Sequence, residues 1–166
     1  MKYILKANSG QPTDRYTSVE IAPEEGGIRL KYTACDSCFY SPFQRDNDPL
    51  YDGCAVEIFF SSNGDVNEYV EYEFSPSGLV WAGRISHVGG ERRTVMLDTN
   101  VPHMVKKEGK DYFVEAFIPA EYKAGVSRFN AFRIEREGAD APYLLYAVFP
   151  TRCETFHVPQ KLGVVE

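Results

Sequence analysis

Between closely spaced turn signals this chain alternates apolar and polar residues with period two, and that alternation restricts its fold more than any other feature. From Ala55 to Phe60, Val56, Ile58 and Phe60 point to one side, with Glu57 and Phe59 on the other. From Tyr69 to Phe74, Val70, Tyr72 and Phe74 oppose Tyr69, Glu71 and Glu73. Such patterns mark strands with one face in a core. The turn signals between them are Glu25-Gly26-Gly27, Asn63-Gly64-Asp65, Ser75-Pro76-Ser77-Gly78, Gly89-Gly90, Glu108-Gly109-Lys110 and Glu137-Gly138. Asn63-Gly64 predicts a hairpin that makes the strands on either side of it neighbours.

Further strands are expected over Ile28–Tyr32, Leu79–Ile85, Arg93–Leu97, Tyr112–Ile118, Phe129–Arg136 and Tyr143–Phe149. Trp81 and Arg84 fall on opposite faces of theirs. Phe132 and Ile134 oppose Arg133 and Glu135. One short helical turn is expected at Pro119–Ala124, with proline at its start. About nine short strands and almost no helix predict an all-β fold: a two-sheet antiparallel β-sandwich of immunoglobulin-like or jelly-roll type. The aromatic content, 11 Tyr and 11 Phe, suits pleated, half-buried surfaces. The length, 166 residues, suits one domain over 1–166.

A net charge of −6 argues against a nucleic-acid partner, which needs a basic stripe. The densest basic cluster, Lys106-Lys107 with Lys110, is broken by Glu108 and reads as a solvated turn. Met1 to Lys6 lacks the apolar run of a secretory signal, and no stretch approaches the roughly 20 apolar residues of a membrane span, so the expected location is the cytoplasm. Of the four cysteines, Cys35 and Cys38 have redox or zinc spacing, but the pair follows a strand-like run rather than preceding a helix. Only Cys54 and Cys153 remain as further ligands. Free thiols are expected.

Most catalytic templates are missing. There is no Gly-x-Ser-x-Gly elbow and no phosphate-cradling glycine loop. His87, His103 and His157 have no metal-ligand spacing, and His157 reads as a hydrogen-bonded structural histidine. The constellation that stands out is acidic. Glu57, Glu71 and Glu73 are expected on one sheet face and would repel unless a cation stood among them, with Arg84 and Arg133 the candidates. The reading of these residues stays open between a structural ion network, a polar floor under a sugar and a glycosidase dyad. Sugar hydroxyls need carboxylate, guanidinium or amide partners, and the less polar face of a pyranose packs on flat aromatic rings. The loop from Arg45 to Asp52 carries Asp46, Asp48 and Asp52, a candidate calcium site, although it lacks the spacing and closing glutamate of an EF-hand.

Five blocks, in order, resemble carbohydrate-binding modules of family 9 and their family 9-like relatives. Asp46-Asn-Asp-Pro-Leu-Tyr-Asp-Gly-Cys-Ala-Val-Glu-Ile-Phe-Phe60 is similar to the family's "nDpvweDscvEiFi". Tyr69-Val-Glu-Tyr-Glu-Phe-Ser-Pro-Ser-Gly78 is similar to "yyeFEfNpxG", with Ser75 in place of the asparagine. Val114-Glu-Ala-Phe-Ile-Pro119, Asn130-Ala-Phe-Arg-Ile-Glu135 and Phe156-His-Val-Pro-Gln-Lys-Leu-Gly-Val164 match the three later blocks. The resemblance covers the chain from about Ile28 to its end. It implies a non-catalytic sandwich that binds a mono- or oligosaccharide, attached to or partnering a polysaccharide-degrading enzyme and serving carbohydrate catabolism, sometimes with bound calcium. By position, Glu57, Glu73 and Arg133 match the family's polar sheet-face residues, and Asn130 matches the asparagine of "nfyR". The family clamps its sugar between two tryptophans. Aligned on Pro150, one of those positions holds Val148 here, with Tyr146 and Phe149 close by.

The expected ligand set is therefore Glu57, Glu71, Glu73, Arg84, Asn130 and Arg133 for hydrogen bonds, with Trp81 and Tyr146 for stacking. A glycoside hydrolase or accessory subunit, and an interaction domain that has lost the sugar site, are the alternative readings.

Overall fold

The structure is a computed structural model and describes residues 1–36 and 38–165. Thirteen strand segments run in chain order: β1 (Lys2–Ile4), β2 (Lys6–Ala7), β3 (Thr17–Glu24), β4 (Gly27–Cys35), β5 (Ala55–Ser61), β6 (Glu68–Phe74) and β7 (Val80–Val88). They continue with β8 (Glu91–Met96), β9 (His103–Glu108), β10 (Asp111–Ile118), β11 (Arg128–Glu135), β12 (Leu144–Ala147) and β13 (Gly163–Val164). All pair antiparallel. One sheet has the order β1-β3-β4-β10-β9; the other runs β2-β12-β11-β5-β6-β7-β8, with β13 also on β11. The two sheets pack face to face as a sandwich, as the alternation predicts.

The main core lies between the sheets and takes Ile21, Leu30 and Val114 from one and Val56, Ile58, Tyr72 and Ala131 from the other. The larger sheet also has a second apolar layer on its outer face, built from Phe59, Tyr69, Trp81, Ile85, Phe132 and Ile134 and roofed by Leu50, Phe156 and Leu162. Its central strand β5 is therefore buried on both sides along its whole length. A strand covered on both faces must fill both with residues that tolerate burial, and here some of those are glutamates.

The hairpin between β5 and β6 turns at Gly64, whose φ of +81° lies in the left-handed region that favours glycine. The edges depart from expectation. Strand β9, His-Met-Val-Lys-Lys-Glu, occupies the stretch read as a solvated turn, and its exposed lysines blunt a sheet edge against further pairing. Strand β8 is exposed and charged in the same way at the edge of the larger sheet. Strands β1 to β3, not expected from the sequence, add two short edge segments and one full strand. Residues 119–124 form no helix: the Lys123 carbonyl instead accepts the N–H groups of Val126 and Ser127. Among the described residues the only helical pieces are 3-10 turns at Leu50–Asp52 and Pro159–Lys161, and no helix is long and apolar enough to cross a membrane.

Candidate functional site

The register of three neighbouring strands builds the site. Glu57 on β5 faces Glu73 on β6, and Phe59 faces Glu71. On β7, Trp81 faces Glu73. Side chains on one face repeat every second residue, so Glu57, Glu71, Glu73 and Trp81 all stand on the outer face of the larger sheet, as expected from the sequence. The three carboxylates are buried, and one oxygen of each lies within 4.8 Å of the others. Glu57 Oε1, Glu71 Oε2 and both oxygens of Glu73 make no hydrogen bond of good geometry.

Three buried anions side by side cannot all stay ionised. Burial, and then the charge of Glu71, raise the Glu57 carboxyl well above its ordinary range. Glu73 is raised well above it too, by burial and then by Glu57 and Glu71. Burial raises Glu71 to about 7, against the opposing effects of its contact with Glu73 and of Arg92. The trio therefore holds protons at neutral pH and behaves as one coupled unit.

A pocket of about 810 Å³ opens above these residues, within the size range of small-ligand sites. Glu57, Glu71, Trp81, Ile85 and Ile134 contribute to its lining. Around them stand Tyr51 and Asp52 from the first 3-10 turn, Arg92, Thr94 and Met96 from β8, and residues 154–157 of the C-terminal segment. Trp81 is 8% exposed. Its ring lies over Gly83, where a Cβ would come within 2.6 Å of it. Tyr51 is 45% exposed and meets Trp81 edge-on, centroids 6.4 Å apart at 82°. Tyr143, also exposed, donates to Asp52 Oδ1 at 2.9 Å, and the Arg136 guanidinium lies 4.2 Å above its ring.

Behind His157, which lines the pocket, runs a polar chain. The Tyr69 hydroxyl lies 3.0 Å from His87 Nε2 and 2.8 Å from His157 Nδ1. Having one proton, it donates to one ring and accepts from the other. The other nitrogen of His157 lies 3.8 Å from Glu71. Burial, followed by Arg92 and His87, lowers His157 to about 3, so the imidazole is neutral and supplies no counter-charge. The histidine is hydrogen-bonded, as expected, but it also lines the pocket.

Four of the expected ligand residues lie elsewhere. Arg84 pairs with Val70 and Val95 on the opposite side of β7 and is exposed. Arg133 pairs with Val56 and so points between the sheets. There it is fully buried, donates to Thr17 Oγ1 at 2.8 Å and to the Cys35 carbonyl, and ion-pairs with Asp36 at 3.6 Å and Glu135 at 3.3 Å. Tyr146 is buried beside it: the Arg133 guanidinium lies 5.3 Å from its ring, and its hydroxyl donates to Glu135 at 3.3 Å. Asn130 lies on the outer side but is consumed by backbone: it donates to the Phe149 and Lys161 carbonyls and accepts from the Ala131 and Phe149 N–H groups. Its role is to hold the C-terminal segment against the sheet.

The aspartates of the acidic loop do not converge. Asp46 accepts from the Val80 N–H and the Thr99 hydroxyl, Asp48 from the Gln44 and Arg45 N–H groups, and Asp52 from Tyr143. Asn47 accepts from the Ala82 N–H, so the loop clamps β7 rather than encircling an ion. All four cysteines are free thiols, as expected. Cys38 gathers with Cys54 and Asp36 rather than with Cys35: both thiols donate to the Arg136 carbonyl, at 3.1 and 3.3 Å.

Tyr51, Arg92, Tyr143 and His157 complete the pocket and are not in the expected set. Tyr51 and His157 carried a sequence signal, each lying inside one of the family-like blocks, Asp46–Phe60 and Phe156–Val164.

The sequence matches no protein-family model and no curated protein. Solved structures do match. A protein from Bacteroides uniformis described as a candidate carbohydrate-binding protein superposes with a TM-score of 0.76 at 20% identity, covering 98% of this chain and 84% of its own. A family 9 carbohydrate-binding module from Caldicellulosiruptor kristjanssonii in complex with glucose gives 0.63 at 15% identity, over 97% of this chain and 82% of the module. A family 9 module from the same organism in complex with cellotriose gives 0.55 at 16%, over 90% and 72%. These likenesses establish that the chain has the family 9 module fold over nearly its whole length.

Proposed function

We propose that this protein is a non-catalytic carbohydrate-binding domain whose mono- or short oligosaccharide ligand sits in the pocket on the outer face of the larger sheet. The observation that carries this reading is the pairing of carboxylates with exposed and half-hidden aromatic rings in one concavity: Glu57 and Glu71 beside Trp81 and Tyr51. Glu57, Glu71 and Arg92 offer hydrogen bonds to hydroxyls, and Tyr51 and Trp81 offer flat apolar surface. Two modules of the same fold that were solved with glucose and with cellotriose support the ligand class.

The carboxylate arrangement favours binding over hydrolysis. Glycosidases place their two carboxyl groups about 5 to 9.5 Å apart across the scissile bond. Here the acids stand side by side on one sheet face rather than across a cleft from each other. A role in carbohydrate catabolism, beside a polysaccharide-degrading enzyme, follows from the same reading.

Isothermal titration with glucose, xylose, cellobiose and cellotriose tests it, together with a reducing-sugar release assay on the matching polysaccharides. Saturable heat with at least one sugar and no release is the expected result. No heat with any sugar would overturn the reading, and turnover would replace it with the hydrolase.

A further inference from the structure

The three clustered glutamates have no counter-charge beside them, and a neutral sugar does not supply one. Among the described residues, no arginine or lysine forms an ion pair with Glu57, Glu71 or Glu73; the one charged-type contact is His157 at 3.8 Å from Glu71. The groups facing the trio from neighbouring elements are Tyr51 from the 3-10 turn, Tyr69 from β6, Arg92 from β8 and His157 from the C-terminal segment, with His87 of β7 behind Tyr69. The tyrosines are neutral and burial lowers both histidines, so Arg92 is the only fixed cation and it acts on Glu71 alone among the three. Four buried oxygens of the trio have no hydrogen bond of good geometry; the Tyr51 backbone N–H near Glu73 and the Glu71–Glu73 contact are what they have instead, a poorly satisfied state for a protein interior.

Resting on the sugar-binding reading above, we propose that the preferred ligand is an amino sugar, a hexosamine with a free ammonium group that seats against Glu57, Glu71 and Glu73. The geometry suits that group. A nitrogen placed centrally among three oxygens no more than 4.8 Å apart lies no farther than about 2.8 Å from each, the length of a charge-assisted hydrogen bond. An ammonium carries three N–H donors, one for each carboxylate. Glu57 and Glu71 line the pocket and are reachable, while Glu73 backs them. The Tyr51 and Trp81 rings beside them accept a cation on their faces and the sugar ring on the same surface. As the ammonium enters, the carboxyl groups that were protonated lose their protons to solvent, and the bound site is an ion cluster in place of a neutral one.

Isothermal titration of the full chain in EDTA-containing buffer compares glucosamine, glucose and N-acetylglucosamine at pH 7. Glucosamine is expected to bind about tenfold or more tighter than either of the others, since each added charge-assisted bond in a buried site is worth that much. Repeating the titration in phosphate and in Tris, whose ionisation enthalpies differ, should show net proton release. A Glu73→Gln variant, changed behind the pocket lining and with circular dichroism matching the wild type, should lose the preference for glucosamine and keep glucose binding. Equal affinity for glucosamine and glucose without proton release would overturn the inference and leave the sugar-binding reading standing. Glucose binding that appears only on adding Ca²⁺ or Mn²⁺ would overturn it by assigning the trio to a metal. No binding of any sugar would overturn both.

Discussion

Glu57 and Glu73 face each other across β5 and β6, both buried, and among the described residues no arginine or lysine forms an ion pair with either. Like charges directly opposite on a sheet are destabilising, and the pair is compatible with a folded core only because burial and mutual repulsion keep protons on it.

That relationship has a pH signature. A carboxyl whose folded-state pKa is raised keeps a proton that the unfolded chain has released. Its stabilising contribution is whole below the unfolded value and is lost as the pH rises through the folded one. The window opens near the ordinary glutamate value of about 4.3 and runs through about 7 for Glu71, with Glu57 and Glu73 extending it upward. Thermal unfolding between pH 4.5 and 9 should therefore show a falling Tm. Glu73→Gln keeps the shape and removes one titration. It should flatten the profile and be more stable than the wild type at pH 8 by roughly 1–2 kcal/mol. An unchanged slope would refute the coupling.

Arg133 illustrates what alternation conveys and what it leaves out. The sequence separates Arg133 and Glu135 from Phe132 and Ile134 correctly, and on most sheets the polar side faces out. On β11 the polar side faces in, because Asp36, Glu135 and Thr17 form a buried nest for the guanidinium between the sheets. The apolar side faces out, because a second hydrophobic layer covers it. Period-two patterning gives two faces per strand; only the neighbour register says which faces are shared, and a register is not written in one strand. Tyr146 departs from the expected site for the same reason, whereas Arg84 lies opposite Trp81 as the alternation of its own strand already shows. The glutamate trio was legible because its two strands are joined by one short hairpin. Tyr51, Arg92, Tyr143 and His157 were not, because they reach the pocket from four separate segments of the chain.

Arg133 is accordingly a stability residue. Replacing it with methionine removes the guanidinium from beside buried Asp36 and Glu135, of which Glu135 keeps Arg15 at 3.6 Å and the Tyr146 hydroxyl, and breaking a buried pair costs about 3–5 kcal/mol. Urea unfolding should show a loss of that order. Sugar affinity, measured on whatever fraction stays folded, should not change. A stable variant with weakened binding would contradict the assignment.

Gly83 supports the floor of the pocket. A methyl group there would come within 2.6 Å of the Trp81 ring, so Gly83→Ala must push the indole off the β7 backbone and toward the pocket. Overpacking of this kind costs typically 1–3 kcal/mol. Trp81 is the sole tryptophan, so its emission reports the displacement directly. A red shift, with reduced sugar affinity, is the expected outcome. Unchanged emission and affinity would mean that the ring does not depend on the bare backbone beneath it.

Tyr51 and Trp81 separate binding from folding. They meet edge to face at the pocket, but one is 45% exposed and the other 8%. Trp81 belongs to the outer apolar layer with Phe59 and Phe132, so Trp81→Ala removes core as well as ligand surface and should cost about 3–5 kcal/mol of stability. Tyr51 stands on a 3-10 turn over the pocket and meets Trp81 edge-on. Tyr51→Ala should leave the Tm within a few degrees of the wild type while weakening sugar binding about tenfold, the effect expected of losing one aromatic anchor. If the ligand instead sat elsewhere on the sandwich, Tyr51→Ala would bind as the wild type does, and the pocket would lose its claim to the sugar. Titration of the two variants side by side, with Tm measured on the same samples, decides it.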